Sequence, residues 1–299
     1  MISIIVPFHN EKENLKPLYW EIKEVLAKTD FQYEIIFVDD GSTDGSGAEA
    51  DEIGAKDNGV KIVRLPKRFG KGKALSAGID KAKGETLIFM DADLQDNPAD
   101  IIKFLEKINQ GYDLVNGVRK IRKENPIIKI YSKVGNQFLK TFSKSPFADI
   151  NCGFKALRRK VLNEIALYGN NFRFLPLAAF YQGFRVTEIE VNNRSRRYGK
   201  SKFGISKPFI GLIDTITAYF LYKFSEKPLH FFGTIGGIFF TTGFITALIL
   251  SVEKIFFGVL LYRRPALLLA ILLIIVGIQI TMTGIIGELI VYQSKRKNK

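Results

Sequence analysis

Two carboxylates, Asp91 and Asp93, stand one residue apart directly after the apolar run Leu87-Ile88-Phe89-Met90. Four consecutive apolar residues read as a short strand buried on both faces, as in the middle of a parallel sheet. In open α/β sheets ligands bind at the carboxyl ends of the strands. The pair is therefore placed to hold a hard divalent cation that bridges the phosphates of a substrate; taken alone, the same spacing also suits a helix cap or a solvated turn. Asp39-Asp40, after a second apolar run, reads by itself as a capped turn. Gly70-Lys71-Gly72-Lys73 combines backbone freedom with positive charge at a helix start, which favours phosphate, but it lacks the full Walker pattern. Lys73 reads equally as part of a solvated lysine cluster. Arg119 closes a fifth strand on the same edge as the acidic pair, where it can steady a phosphate or form a surface ion pair. Cys152 and the two histidines are too scattered to suggest zinc.

The elements that must position these residues alternate. Met1–Val6 reads as a strand closed by Pro7, and Glu11–Lys28 as an amphipathic helix through Leu15, Leu18, Ile22, Val25 and Leu26. Further strands are expected at Glu34–Val38, Lys61–Leu65, Thr86–Met90 and Asp113–Asn116. Helices are expected after Ser46, over Ala74–Ala82, and from Pro98 to Asn109. This order predicts a doubly wound, mostly parallel sheet. Ile121–Ser145 is basic, Arg173–Tyr181 reads as a helix, and Arg185–Val191 as an alternating strand. A polar, basic tract follows from Asn192 to Lys202.

Beyond it the composition changes. Ile205–Phe224 resembles a helix lying along a membrane surface, or equally an ordinary packed helix. Phe231–Val252 and Pro265–Gly287 carry no charged residue, and each is long enough to span a bilayer core of roughly 30 Å. Their glycines allow close helix packing and a homo-oligomer. The formal charge of +14 suits nucleic acid, anionic lipid or phosphorylated substrates. A nucleic-acid role fails on location, because much of the basicity borders the apolar segments. One cysteine rules out an intrachain disulfide and fits a reducing compartment. No secretory signal is read at the amino terminus. With two spans and the basic tail Lys295-Arg296-Lys297, both termini and the globular part are expected on the cytosolic side of the membrane.

Seven stretches in order then carry a resemblance. They are Ile4-Ile5-Val6-Pro7-Phe8-His9-Asn10-Glu11, Val38-Asp39-Asp40-Gly41-Ser42, Gly70-Lys71-Gly72-Lys73-Ala74, Asp91-Ala92-Asp93-Leu94-Gln95, Gly117-Val118-Arg119, Asp149-Ile150-Asn151-Cys152-Gly153-Phe154 and Arg196-Arg197-Tyr198-Gly199-Lys200-Ser201-Lys202. Together they make the chain resemble a family-2 glycosyltransferase of the polyprenyl-phosphate type, the group of bactoprenol glucosyl transferases and dolichol-phosphate mannose synthases. The two spans match the bactoprenol branch.

The resemblance implies a Rossmann-like GT-A catalytic domain over residues 1–204, a juxtamembrane amphipathic helix over 205–228, and a two-helix transmembrane domain with a basic tail over 229–299. It gives Pro7, His9, Glu11, Val38 and Asp40 to the nucleoside of the donor, with His9 where the family usually has Tyr, and Lys73 and Asp91 to its phosphates. It makes Asp91, Asp93 and Gln95 the ligands of Mg2+ or Mn2+. It makes Asp149 a general base or an orienting group, and sets Arg119, Arg196, Ser201 and Lys202 against the acceptor phosphate. The implied reaction is an inverting transfer of a hexose, glucose from UDP-glucose first, to undecaprenyl phosphate. Mannose or a modified arabinose is the alternative cargo. A processive polysaccharide synthase is disfavoured because the only tryptophan, Trp20, lies in the first helix rather than in a Gln-x-x-Arg-Trp motif. A membrane-anchored nucleotide-sugar-binding protein without catalysis is the alternative from another class.

Overall fold

The computed structural model describes residues 1–119, 147–165, 171–194, 217, 220, 224, 227–258 and 265–297. The basic segment Ile121–Ser145, the tract beyond Arg194 and nearly all of the expected interfacial helix lie outside them. The chain divides into two compact units, Met1–Ala218 and Tyr219–Lys299.

In the first unit the strands are β1 (Ile2–Phe8), β2 (Tyr33–Asp39), β3 (Val60–Arg64), β4 (Thr86–Phe89), β5 (Leu114–Arg119), β6 (Lys155–Arg158) and β7 (Val186–Val191). They form one sheet in the order β3-β2-β1-β4-β6-β5-β7. Pairing is parallel except where β6 runs antiparallel between β4 and β5. The mostly parallel sheet read from the alternation is thus present. β6 was not anticipated. Because it reverses direction, β4 and β5 still point the same way, and the chain entering β6 emerges at their carboxyl edge.

Helices α1 (Lys12–Leu26), α2 (Ser46–Lys56), α3 (Lys71–Lys81) and α4 (Ile101–Asn109) cover the sheet. Leu15, Leu18 and Ile22 of α1, Ile53 of α2, and Phe104 and Ile108 of α4 join the cluster that buries Ile4, Val6, Phe37 and Ile88. Alternation along a strand sends Ile5 and Val38 to the other face. There α3 lies so close that a Cβ at Gly78 would sit 2.5 Å from Ile5 Cγ2 and 3.0 Å from Val38 Cγ2. Pro7 does not close β1 but lies within it, opposite Val38. Pairing with β4 ends at Ile5–Phe89, so an imino nitrogen at Pro7 breaks no ladder on that side. α3 starts at Lys71, three residues before the expected Ala74.

In the second unit the helices Pro228–Phe257 and Pro265–Lys297 are 30 and 33 residues long. At about 1.5 Å per residue each exceeds the roughly 30 Å hydrocarbon core, so both fit membrane spans. Phe244, Leu248, Leu268 and Leu272 face outward. The inner seam is glycine. A Cβ at Gly277 would stand 2.6 Å from Phe240 N and 2.7 Å from Gly236 O, and one at Gly243 would stand 2.7 Å from Ala270 O. Backbone-to-backbone approach of this kind is how helices associate where no hydrophobic effect separates them from lipid. Glu288 Oε2 accepts the Leu229 N–H at 3.2 Å, satisfying one donor at the open start of the first apolar helix.

Replacing Gly277 by Leu drives a branched side chain into the facing backbone. It is expected to cost about 1–3 kcal/mol, read as a lower midpoint of thermal unfolding in detergent. An unchanged midpoint would contradict the seam.

Candidate active site

The site forms where β1, β2, β4 and β5 end and β6 begins. After β4 the chain turns through Asp91-Ala92-Asp93-Leu94-Gln95-Asp96. The Gln95 N–H donates to Asp93 Oδ1 at 3.2 Å and the Asp91 N–H to Asp96 Oδ2 at 3.3 Å. Leu94 holds φ at 58° although it is not glycine. This left-handed conformation strains a branched side chain, and the apolar burial of Leu94, 3% exposed, secures it.

Three acidic groups now share one turn. Lys71, at the start of α3, donates to Asp91 Oδ1. Burial alone would raise the Asp91 carboxyl. The charge and hydrogen bond of Lys71, followed by the charges of Arg119 and Arg173, instead hold it below the usual carboxylate range. For Asp96, burial first, and then the negative charge of Asp91, outweigh the charge of Lys71 and push it up to about 7. Lys71 also lies over the Phe172 ring, 5.1 Å from its centroid, and Arg173 stands on the same short 3-10 turn.

The Cys152-Gly153-Phe154 stretch leads into β6 beside this turn. Phe154 is fully buried, its ring centroid 4.4 Å from that of Phe104, and so pins the main chain of Gly153. A Cβ at Gly153 would fall 2.6 Å from Asp91 Oδ2 and 2.8 Å from Lys71 Nζ. At the end of β5, Arg119 Nε and Nη2 donate to Asp149 Oδ2 and Oδ1 at 2.8 and 3.2 Å, a forked pair. The Arg119 side chain is 25% exposed and that of Asp149 8%. Burial opposes the guanidinium charge, but the Asp149 carboxylate outweighs it and raises the Arg119 pKa further.

The loops after β1 and β2 are stitched together. Asn10, with φ 57°, accepts the Thr43 N–H at 2.8 Å, and its own N–H donates to Ser42 Oγ at 3.0 Å. His9 Nδ1 lies 2.8 Å from Asp40 O, and the Glu11 N–H donates to Ser46 Oγ at 2.9 Å. The Asp40 carboxylate accepts the Phe69 N–H at 2.7 Å and the Gly70 N–H at 2.9 Å. Hydrogen bonds to a buried charge are worth about 1.5–3 kcal/mol each, so Asp40 fixes the loop that delivers Lys71. Gly41 holds φ at 66°, and a Cβ there would meet the Lys67 carbonyl carbon at 2.5 Å.

A strap closes the other side. The Asn192 N–H donates to Asp100 Oδ2 at 2.7 Å, the Arg194 N–H to Gln95 O at 2.8 Å, and the Arg194 guanidinium to Asn97 Oδ1 at 2.7 Å and Glu21 Oε2 at 2.6 Å.

Of the residues singled out in the sequence, Asp91, Asp93, Gln95, Arg119 and Asp149 stand at this edge, with His9, Glu11 and Asp40 on the adjoining loops. Pro7 and Val38 are buried within their strands, with the Val38 side chain under α3. Lys73 is exposed on α3, and the lysine that meets the acidic turn is Lys71. Arg196, Ser201 and Lys202 lie outside the described residues. Sequence reasoning held Lys71 only as part of the Gly70–Lys73 stretch and gave no role to Asp96, Asn116, Lys155, Arg173 and Glu188. One of them carried a signal: Asn116 is a polar residue closing the apolar run of an expected strand.

Among the described residues no group of three or more His, Cys, Asp or Glu side chains is arranged to hold a metal ion. What the turn offers is a pair of carboxylates in a zone of crowded negative charge. That donor set fits a hard cation completed mainly by phosphate and water oxygens.

A mixed sheet with an acidic turn at its carboxyl edge is the GT-A type of nucleotide-sugar transferase domain. Residues 3–166 match the family model described as Glycosyl transferase family 2, and the chain belongs to that family. Two relatives align over 97% of the chain. Dodecaprenyl-phosphate galacturonate synthase of Rhizobium johnstonii is 31% identical with 87% of its own length covered. Undecaprenyl-phosphate 4-deoxy-4-formamido-L-arabinose transferase of Proteus mirabilis is 30% identical with 88% covered. Among solved structures, glucosyl-3-phosphoglycerate synthase of Mycobacterium tuberculosis, in complex with Mn2+, UDP-glucose and phosphoglyceric acid, shares the fold. It has a TM-score of 0.59 at 18% identity, covering 74% of this chain and 78% of that one.

Gly153→Ala is expected to cost little stability, under about 1 kcal/mol, because the atoms it displaces are side-chain ends. Those ends are Asp91 and Lys71, so transferase activity should fall steeply. Full activity in the folded variant would show that the Asp91–Lys71 geometry is dispensable.

Proposed function

We propose that the protein transfers a sugar from a nucleoside diphosphate to the phosphate of a polyprenyl lipid, with inversion at the anomeric carbon. The observation that carries this reading is the meeting of Asp91, Lys71 and Gly153 beside the Arg119–Asp149 pair at one sheet edge. Likeness over almost the whole chain to two polyprenyl-phosphate sugar transferases supports it. A divalent cation, Mg2+ or Mn2+, held by Asp91 and Asp93 with Gln95, would neutralise charge on the departing diphosphate. The stitched loops of Pro7–Glu11 and Val38–Ser42 take the nucleoside, with His9 and Asp40 fixing their shape. Lys71 and Arg173 add positive charge for the donor phosphates, and exposed Lys73 lies two residues further along the same helix.

Arg119 meets the acceptor phosphate, together with Arg196, Ser201 and Lys202 from the tract that follows the strap. A phosphate monoester has its second pKa near 6, so its oxygen is already largely deprotonated at neutral pH and needs positioning more than proton removal. Asp149, with both oxygens on Arg119, serves as the orienting group rather than the base. The attacking oxygen approaches opposite the nucleotide, and a single in-line displacement inverts the carbon. Two membrane spans and the basic tail support a cytosolic position for the catalytic unit and both termini.

The leading donor is UDP-glucose. Galacturonate and a formamido-arabinose, the sugars named for the two relatives, come next, and mannose is a further arm of the test. Purified protein incubated with undecaprenyl phosphate and each labelled nucleotide sugar is expected to yield an acid-labile lipid-linked sugar with one of them. Binding of donors with no lipid product from any would favour a non-catalytic sugar-nucleotide receptor. Asp91→Asn and Asp93→Asn should each lower turnover by about 10³-fold, the equivalent of several kcal/mol of lost charge stabilisation. Asp149→Asn keeps an acceptor for Arg119. Its loss should stay well below the roughly 10²–10⁴-fold that removing a general base brings, with the pH profile unshifted. A collapse to background would return Asp149 to the role of base.

A further inference from the structure

Lys155 is the first residue of β6, fully buried between β4 and β5. A buried ammonium is costly unless it is paired or fully hydrogen-bonded, and among the described residues Lys155 meets no carboxylate directly. Its Nζ donates to Asn116 Oδ1 and, at 3.2 Å, to Ile150 O. Lysine can only donate, so this contact forces the Asn116 amide to present its oxygen to Lys155 and its nitrogen to the other side. There Asn116 Nδ2 donates to Asp149 O at 2.9 Å and to Glu188 Oε1 at 3.0 Å. Glu188 in turn accepts the Ala148 N–H at 2.7 Å and the Asp149 N–H at 3.3 Å. The main chain of Ala148, Asp149 and Ile150 is thus gripped through its N–H and C=O groups by one network, and the Asp149 side chain leaves that network for Arg119.

We infer that Lys155 is a positioning residue: through Asn116 and Glu188 it sets the Asp149 backbone and so aims the Arg119 guanidinium at the acceptor phosphate. The inference rests on the transfer reaction proposed above and adds a residue to it. The groups that face Lys155 are Cys152 and Asp149 on the approach to β6, Arg119 on β5 and Lys71 on α3. Burial lowers the Lys155 pKa to about 8. Burial likewise raises the Cys152 thiol to about 11, so Cys152 stays neutral while Lys155 titrates. Lys155 is therefore charged below about pH 8 and loses its charge above it. The charge-assisted bond to Asn116 weakens in the same direction.

The test uses the full-length protein in detergent with undecaprenyl phosphate and the donor found active in the screen. Lys155→Met keeps length and burial but removes all donors. It is expected to lower kcat about 10- to 100-fold, as small misplacements of a catalytic group do. The donor KM should be unchanged, and the fall in kcat above pH 8 expected of the natural protein should be absent. Glu188→Gln, at the half-buried end of the network, should lower kcat in the same way. Amide hydrogen exchange across residues 147–152 should quicken in both variants, a readout that needs no turnover.

Wild-type kcat in a folded Glu188→Gln variant, or unchanged exchange at 147–152, overturns the inference. An alkaline limb that persists in Lys155→Met does so as well. Absence of any lipid product from the natural protein would instead sink the functional reading, leaving the exchange result to judge the network.

Discussion

Like charges crowded into one turn set the terms for everything near them. Asp91, Asp93 and Asp96 fall within six residues at the end of β4, and carboxylates that close cannot all remain ionised without cations to answer them. The fold answers with side chains drawn from far apart in sequence. Lys71 comes from α3, Arg119 from β5 and Arg173 from the turn before the Leu175–Tyr181 helix. Asp91 stays charged because Lys71 answers it directly, whereas burial and the charge of Asp91 push Asp96 toward neutrality. The elements that deliver these cations are held by bonds that would otherwise look incidental. The Asp40 grip on Phe69 and Gly70 is the clearest case, since it decides where Lys71 emerges.

The reversed strand β6 gives the edge its second half. Two parallel strands side by side would leave only their two following loops at the carboxyl edge. Inserting one antiparallel strand adds the loop that precedes it, which carries Asp149, Cys152 and Gly153. The β5–β6 pairing also sets Asn116 beside Lys155 in register, placing polar groups beneath that loop in an otherwise apolar layer. Buried polar networks stabilise little on balance, but fully satisfied ones specify a single arrangement. A guanidinium that must be aimed needs that property.

Much of this edge was legible in the residues. Apolar runs ending in Asp39-Asp40, Asp91-Ala92-Asp93 and Gly117-Val118-Arg119 mark strand ends with chemistry attached, and local pattern suffices to read them. Reading failed where position depends on distant contacts. β6 is four residues long and bounded by Lys155 and Arg158, so nothing local separates it from a loop; only its neighbours in the sheet make it a strand. Lys73 looked as able as Lys71, because the helix start differs by three residues from its apparent place. Val38 looked like part of a binding loop, but strand alternation sends it with Ile5 under Gly78. The glycine seam of the two long apolar helices was visible as composition, whereas the facing pairs depend on antiparallel register. Asp100, Asn192 and Arg194 carry no motif, and their strap is apparent only in three dimensions.

That strap has a mechanical side. Arg194 is tethered to Gln95 by its backbone and to Asn97 and Glu21 by its guanidinium, and Asn192 is moored to Asp100. Tension arriving along the chain from its carboxyl-terminal direction is delivered to the turn holding the acidic pair before it reaches the sheet. A pull on Arg194 and a shift of the acidic turn are therefore one motion.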